Sequence, residues 1–264
     1  MAPVSTASPG AAYNKIGYWS PNTASVDWCE SNYAVSFYIA DLFPTNEKRF
    51  KILFLICGIV TIGSMLFHGT LRHKMQLLDE LPMLYSSTIV MFILVEAKHG
   101  RQGSWFPTLL VIWITVASIV FSTTGGKIQF YTFQSTYTIL QFCMIYYLRV
   151  LHVQQCSKQP NPAISTMIHR ALGFGALAVT IWLIDLRLCE FVNGVGPKSI
   201  LRWNPQLHAW WHIFSAIAMY HVSILVSYYH YDVLARQPMI YHWNGIVPAL
   251  RFAQPCSQDR KKTH

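Results

Sequence analysis

The chain has 264 residues, of which 53% are hydrophobic and only 12% are charged, whereas soluble domains carry roughly 25% charged residues. This composition excludes an ordinary soluble domain and indicates a polytopic membrane protein. The net charge of +9 would suit a nucleic-acid-binding surface, but the sequence contains no recognisable nucleic-acid-binding module.

Apolar runs divide the chain into candidate membrane spans. Six of them approach the roughly 20 residues that a spanning helix needs, and they lie near 50–68, 81–97, 105–122, 129–150, 171–188 and 207–230. We therefore expect an all-α fold, a bundle of six transmembrane helices. The transmembrane domain should cover residues 48–232, between an N-terminal segment (1–47) and a cytosolic basic tail (233–264).

The distribution of basic residues predicts the orientation of this bundle. With six spans, the N-terminal segment, the loops near 98–104 and 149–170 and the C-terminus share one face, which carries most of the lysines and arginines. By the positive-inside rule this face is cytoplasmic. The chain also ends in "KKTH", where Lys261 and Lys262 resemble a dilysine retrieval signal. We expect a multi-pass protein of the endoplasmic reticulum, or alternatively the Golgi, with a cytosolic C-terminus.

Three histidines suggest a metal site at the opposite face. His208 and His212 lie four residues apart in "QLHAWWHIF", so they share one side of a helix. His68 ends the first span, which alternation places at the same membrane face. A single histidine at a membrane boundary is usually just an interfacial polar residue, but three imidazoles with one open position form a common catalytic zinc arrangement. Zinc in such a site activates a water molecule as a nucleophile.

The general base must lie outside the histidine pair. In H-E-x-x-H zinc enzymes the base stands between the two ligands, and here that position is Ala209. Asp79, at the start of the second span and on the same face, is the best candidate, because carboxylates within membrane proteins are usually functional. Ser64, one turn before His68, could donate a hydrogen bond to the site; packing between helices explains it equally well.

Several motifs together resemble the alkaline ceramidase family, part of a wider group of intramembrane hydrolases that includes the adiponectin receptors. They are "SMLFH", "LLDELPMLYS", "HAWWHI" and the N-terminal "GYWSPNTASVDWCESNYAVSFYIAD". The resemblance covers most of the chain and implies hydrolysis of ceramide to sphingosine and a fatty acid. It assigns His68, His208 and His212 as zinc ligands, Asp79 as general acid and base, and Ser64 as a supporting hydrogen-bond donor. It implies a ceramide-type lipid substrate and names no protein partner.

The same resemblance implies a second metal and a disulfide bond. Calcium would bind to the N-terminal segment through Asp27, the backbone of Trp28, Glu30, Asn32 and Asp41, the last of which is usually glutamate in the family. Taken alone, "DWCESN" offers oxygen ligands that suit a hard cation, although a polar turn is the simpler interpretation. The family disulfide would join Cys29 to Cys189.

One feature departs from the family, which has seven spans. The segment 33–43, where the first helix is expected, has about eleven residues and cannot cross a bilayer of roughly 30 Å at 1.5 Å per residue. With six spans the N-terminus is cytosolic, and neither the calcium site nor the disulfide can form as in the family. A spliced or mispredicted transcript is our favoured explanation; a re-entrant N-terminal segment and an altered topology of the flanking spans are the alternatives.

The sequence favours a zinc-dependent amidohydrolase over three other interpretations. A receptor-like member of the wider group would signal with little turnover, and a shortened member could be inactive. A transporter or channel is disfavoured, because the main ionisable residues within the spans, Glu96 and Asp185, do not form a row.

Overall fold

The computed structural model describes residues 47–194, 197–243 and 247–252. Within these ranges the chain forms six helices followed by a β-hairpin, which confirms the predicted all-α bundle. The elements are α1 (Lys48–Thr70), α2 (His73–His99), α3 (Trp105–Thr123), α4 (Gly126–Lys158), α5 (Pro162–Val192), α6 (Leu207–Val233), β1 (Pro238–Trp243) and β2 (Val247–Phe252). Each predicted apolar run lies inside one helix.

Connections of two to five residues join most successive helices, whereas fourteen residues join α5 to α6. Helix α1 ends where Leu71 adopts a left-handed conformation, with φ of 50°, and its N–H donates to the Phe67 carbonyl at 2.7 Å. Helix α5 begins with Pro162 as its first residue, and the Asn161 side chain accepts a hydrogen bond from the Ala163 N–H. An asparagine cap followed by proline is a strong helix start.

The described helices carry the apolar surface of a membrane bundle. Five of them, α1, α2, α3, α5 and α6, are long and apolar enough to cross a bilayer. Large apolar side chains point outward along them, including Leu55 on α1 and Val111 and Ile112 on α3, each more than half exposed. An exposed apolar surface of this extent is typical of contact with lipid.

Helix α4 is the exception to the predicted spans, since it is not among these five apolar helices. Its many glutamine and tyrosine residues lower its hydropathy. It nevertheless runs along the whole bundle, because Gln129 near its start contacts Glu80 near the start of α2, and His152 near its end lies 3.5 Å from Ser165 near the start of α5. Its 33 residues reach about 50 Å at 1.5 Å per residue.

The C-terminal part of the described chain folds back on α6. Strands β1 and β2 pair antiparallel, with Pro238 opposite Phe252. Leu250 is buried in the main hydrophobic cluster, and the Tyr220 hydroxyl donates to the Pro248 carbonyl at 2.8 Å. The predicted basic tail therefore begins with a packed hairpin, whereas Lys261 and Lys262 lie outside the described residues.

Candidate metal centre

Four helix ends meet at one end of the bundle. His68 lies two residues before the end of α1, Asp79 lies in the second turn of α2, and His208 and His212 lie in the first two turns of α6. Asp185 lies near the end of α5. Because α1 packs on α2, α5 packs on α6, and α2 packs on α6, these polar side chains converge, as the predicted alternation of spans requires.

The three predicted histidines form a compact cluster. Their candidate ligand atoms all lie within 4.8 Å of one another, and the Nε2 atoms of His68 and His212 are 3.1 Å apart. Two nitrogens bound to one tetrahedral zinc at about 2.0–2.1 Å would be roughly 3.3 Å apart. His68 and His208 are buried, and His212 is partly buried. The donor set and the spacing therefore fit a zinc ion.

Asp79 lies beside this cluster in a buried position, 7% exposed. The Ser64 hydroxyl donates a hydrogen bond to its carboxylate, and His68 is close enough to interact with it electrostatically. The structure thus gives Ser64 a polar partner in addition to its place between α1 and α2. It brings together all five residues that the sequence assigned to the zinc centre.

Gly63 sets the close approach of α1 to α2 at this point. A Cβ atom on Gly63 would lie 2.6 Å from the Leu78 carbonyl carbon, closer still to the Leu78 oxygen, and 2.9 Å from the Asp79 nitrogen. Each distance is shorter than van der Waals contact allows. Only glycine fits there, and its absent side chain lets Ser64, the next residue, reach Asp79.

Glu80 is a buried carboxylate that the sequence analysis did not assign to the site. The Gln76 Nε2 donates to its carboxylate at 2.8 Å, and the Gln129 Nε2 donates to it at 3.3 Å. Because Gln129 belongs to α4, Glu80 connects α4 to α2 next to Asp79. Consecutive residues on a helix point about 100° apart. The position of Glu80 in "LLDELP" therefore did not reveal whether it faces the bundle.

Asp185 is the second residue that sequence reasoning left outside the site. Its Oδ2 lies 3.8 Å from His208 Nδ1, and both side chains are at most 1% exposed. The sequence identified Asp185 as an ionisable residue within a span, but nothing in its spacing connected it to the histidines of α6.

Cys189, one turn after Asp185, is disulfide-bonded, whereas Cys57, Cys143 and Cys156 are free thiols. The partner of Cys189 lies outside the described residues. Its pairing with Cys29, which the family resemblance implies and the six-span topology argues against, therefore stays a prediction. The predicted calcium residues (Asp27, Trp28, Glu30, Asn32 and Asp41) and the segment 33–43 also lie outside the described residues.

The sequence is similar to proteins of one known family. A family model described as Ceramidase matches residues 42–251. Alkaline ceramidase 3 of Mus musculus is 30% identical, over 91% of this chain and 97% of that protein. An alkaline ceramidase of Arabidopsis thaliana is 28% identical with the same coverage of both chains. An alkaline ceramidase of Saccharomyces cerevisiae is 30% identical, over 83% of this chain and 79% of that protein.

Proposed function

Because this chain belongs to the ceramidase family of hydrolases, we propose that it hydrolyses the amide bond of ceramide to give sphingosine and a free fatty acid. The observation that carries the proposal is the convergence of His68, His208 and His212 beside the buried carboxylate of Asp79. This combination supplies a metal site and a proton acceptor at one point. It suits the cleavage of an amide bond in a lipid that stays within the membrane.

The three histidines would hold zinc. Zinc bound there would polarise the amide carbonyl and make water a better nucleophile at neutral pH. Imidazole nitrogens suit several transition metals, but three of them with an open position favour zinc. A calcium site in the N-terminal segment rests on the sequence resemblance alone, and with six spans it could not form as in the family.

Asp79 would transfer the proton that the reaction has to move. Hydrolysis adds water to the carbonyl carbon and breaks the bond between that carbon and the nitrogen. Asp79 accepts a proton from the attacking water and donates it to the departing sphingosine amine, so that it ends the cycle ionised again. The hydrogen bond from Ser64 orients the carboxylate, and burial excludes bulk water that would compete for the proton.

We also propose that the protein resides in the endoplasmic reticulum membrane with its C-terminus in the cytosol. The basic residues of one face and the terminal "KKTH" support this location. Protease treatment of sealed microsomes that carry a C-terminal epitope tag tests it. Loss of the epitope from intact vesicles is expected, and full protection would overturn the orientation.

We further propose that a spliced or mispredicted transcript explains the missing family span. The alignment with the mouse protein extends over 274 positions and is longer than this chain, so the mouse protein has residues at positions where this chain has none. A sequenced native transcript should contain an additional coding segment between Asp41 and Lys48. A transcript that matches the present sequence there would contradict this explanation.

The function is tested with the 264-residue chain purified in detergent and supplied with ceramide. Release of fatty acid and sphingosine is measured for the wild-type protein, for His212→Ala and for wild type stripped with a chelator. His169→Ala, which removes an exposed histidine near the start of α5, is the matched control. We expect release from wild type and from His169→Ala, and none from the other two samples.

Elemental analysis of the same samples identifies the metal. We expect about one zinc per chain in wild type and none in His212→Ala. A folded, metal-loaded wild-type protein that releases no fatty acid would overturn the proposed activity and favour the receptor-like or inactive interpretation.

A further inference from the structure

We propose that Asp185 is a positioning residue that orients His208 and thereby sets the affinity of the three-histidine centre for its metal. The inference rests on the proposed function, because it assumes that these histidines bind a metal. It adds α5 to a site whose proposed metal ligands come from α1 and α6 and whose proposed general base comes from α2.

The contact that supports this inference lies between two fully packed side chains. His208 Nδ1 is 3.8 Å from Asp185 Oδ2, and neither side chain is more than 1% exposed. This distance exceeds the usual length of a hydrogen bond, so the contact is electrostatic in this structure. Because both side chains are buried from solvent, the contact is screened less than a similar contact at a protein surface.

The neighbours of His208 leave its ring little freedom to turn. The Trp211 ring centre lies 4.9 Å from that of His208, and the His68 and His212 ring centres lie at 5.0 and 4.8 Å. With Nδ1 towards Asp185, the ring presents Nε2 to the metal. A metal-bound histidine commonly has a carboxylate on its second nitrogen, which fixes the tautomer and makes the first nitrogen a better ligand.

The position of Asp185 separates its role from that of Asp79. Asp79 interacts with His68 and Ser64 at the junction of α1 and α2, whereas Asp185 contacts His208 from α5. The two carboxylates therefore act on different histidines. Removal of Asp185 should weaken metal binding, while removal of Asp79 should slow proton transfer in a protein that still holds its metal.

The test measures metal affinity and stability separately. Zinc dissociation constants are determined in detergent by competition with a chromophoric chelator, for wild type, Asp185→Asn and Asp185→Glu. Asp232→Asn, an exposed aspartate at the other end of α6, is the control. Thermal unfolding is recorded for each protein with and without zinc.

We expect Asp185→Asn to raise the zinc dissociation constant by roughly 10- to 100-fold, with a metal-free melting temperature close to that of wild type. Asp185→Glu keeps the charge but moves it, so its affinity should fall between those of wild type and Asp185→Asn. Should Asp185→Asn not fold, Asp185→Glu still tests the inference, since it should bind zinc more weakly than wild type. Asp232→Asn should behave as wild type.

Two other outcomes would overturn the inference. Unchanged zinc affinity in both Asp185 variants would show that the carboxylate does not orient His208. A lower metal-free melting temperature with unchanged zinc affinity would show a purely structural role. In contrast, wild type that binds zinc no better than His212→Ala would contradict the proposed metal centre itself, so failure of the inference and failure of the proposed function are distinguishable.

Discussion

The two ends of this helix bundle use the same kinds of side chain for different purposes. At the metal end, His68, His208 and His212 converge with Asp79 and Asp185 nearby. At the opposite end a second polar group, which we call the basal cluster, consists of Glu47, Arg49, Glu96 and His230. Both groups combine histidine with carboxylates, and both connect α1 to α6.

The difference lies in how the charges are arranged. In the basal cluster Arg49 Nε lies 2.6 Å from Glu47, its guanidinium lies 2.5 Å from Glu96, and His230 Nε2 lies 2.8 Å from Glu47. Each carboxylate there therefore lies against a nitrogen of Arg49 or His230. At the metal end the ligand atoms of three imidazoles lie within 4.8 Å of one another. A cation would stabilise three imidazoles packed in this way, so the partners of the side chains, and not the residue types, lead us to propose this end as the functional one.

The largest effect should come from Asp79→Asn. Asparagine preserves the shape of the side chain but cannot accept a proton, and a lost general acid–base group typically slows a reaction by about 10²–10⁴-fold. The rate of fatty acid release from ceramide measures the effect. Zinc content and melting temperature should remain those of wild type. Wild-type turnover in this variant would assign the proton transfer to another group.

Gly63→Ala should have the next largest effect on activity. The added Cβ atom meets the backbone of Leu78 and Asp79, so α2 has to shift away from α1. Overpacking of this kind costs about 1–3 kcal/mol, and a displacement of about 1 Å at a reacting group can lower the rate by roughly 10²-fold.

Gly58→Ala is the matched control for this substitution. Gly58 lies on the same helix as Gly63, and a Cβ atom on Gly58 would meet no other atom within 4 Å. Ceramide turnover and melting temperature are compared for the two variants. Equal behaviour of both would mean that the contact between α1 and α2 does not set the position of Asp79.

The sequence alone predicted the centre of the candidate site because its signals are local. His208 and His212 are connected by helical spacing, and His68 and Asp79 follow from counting spans and alternating their direction. These arguments need only the number and order of the helices, which the apolar runs of a membrane protein reveal clearly. The bounds of the helices confirmed that order.

Glu80, Asp185 and the hairpin required the structure. Whether Asp185 faces His208 depends on the rotation of α5 about its axis, and a membrane helix that is apolar on most sides gives little indication of that rotation. The contact of Glu80 with Gln129 depends on how α4 packs against α2. The hairpin packs through isolated positions such as Leu250 and Pro248, which do not stand out in a basic C-terminal segment.

The smallest effect should come from Glu47→Gln in the basal cluster. Glutamine keeps the length of the side chain but removes the charge shared by Arg49 and His230. Since Glu47 and Arg49 are partly exposed, although His230 is buried, we expect a loss of about 1 kcal/mol or less. It should appear as a small decrease in melting temperature with unchanged zinc content and ceramide turnover. If the basal cluster only connects α1 to α6, Glu47→Gln should not affect the chemistry at the metal end. A large loss of turnover at unchanged stability in this variant would therefore contradict the assignment of activity and stability to different ends. Asp79→Asn shows the opposite pattern, so the two variants together test whether activity and stability reside at different ends of the same helices.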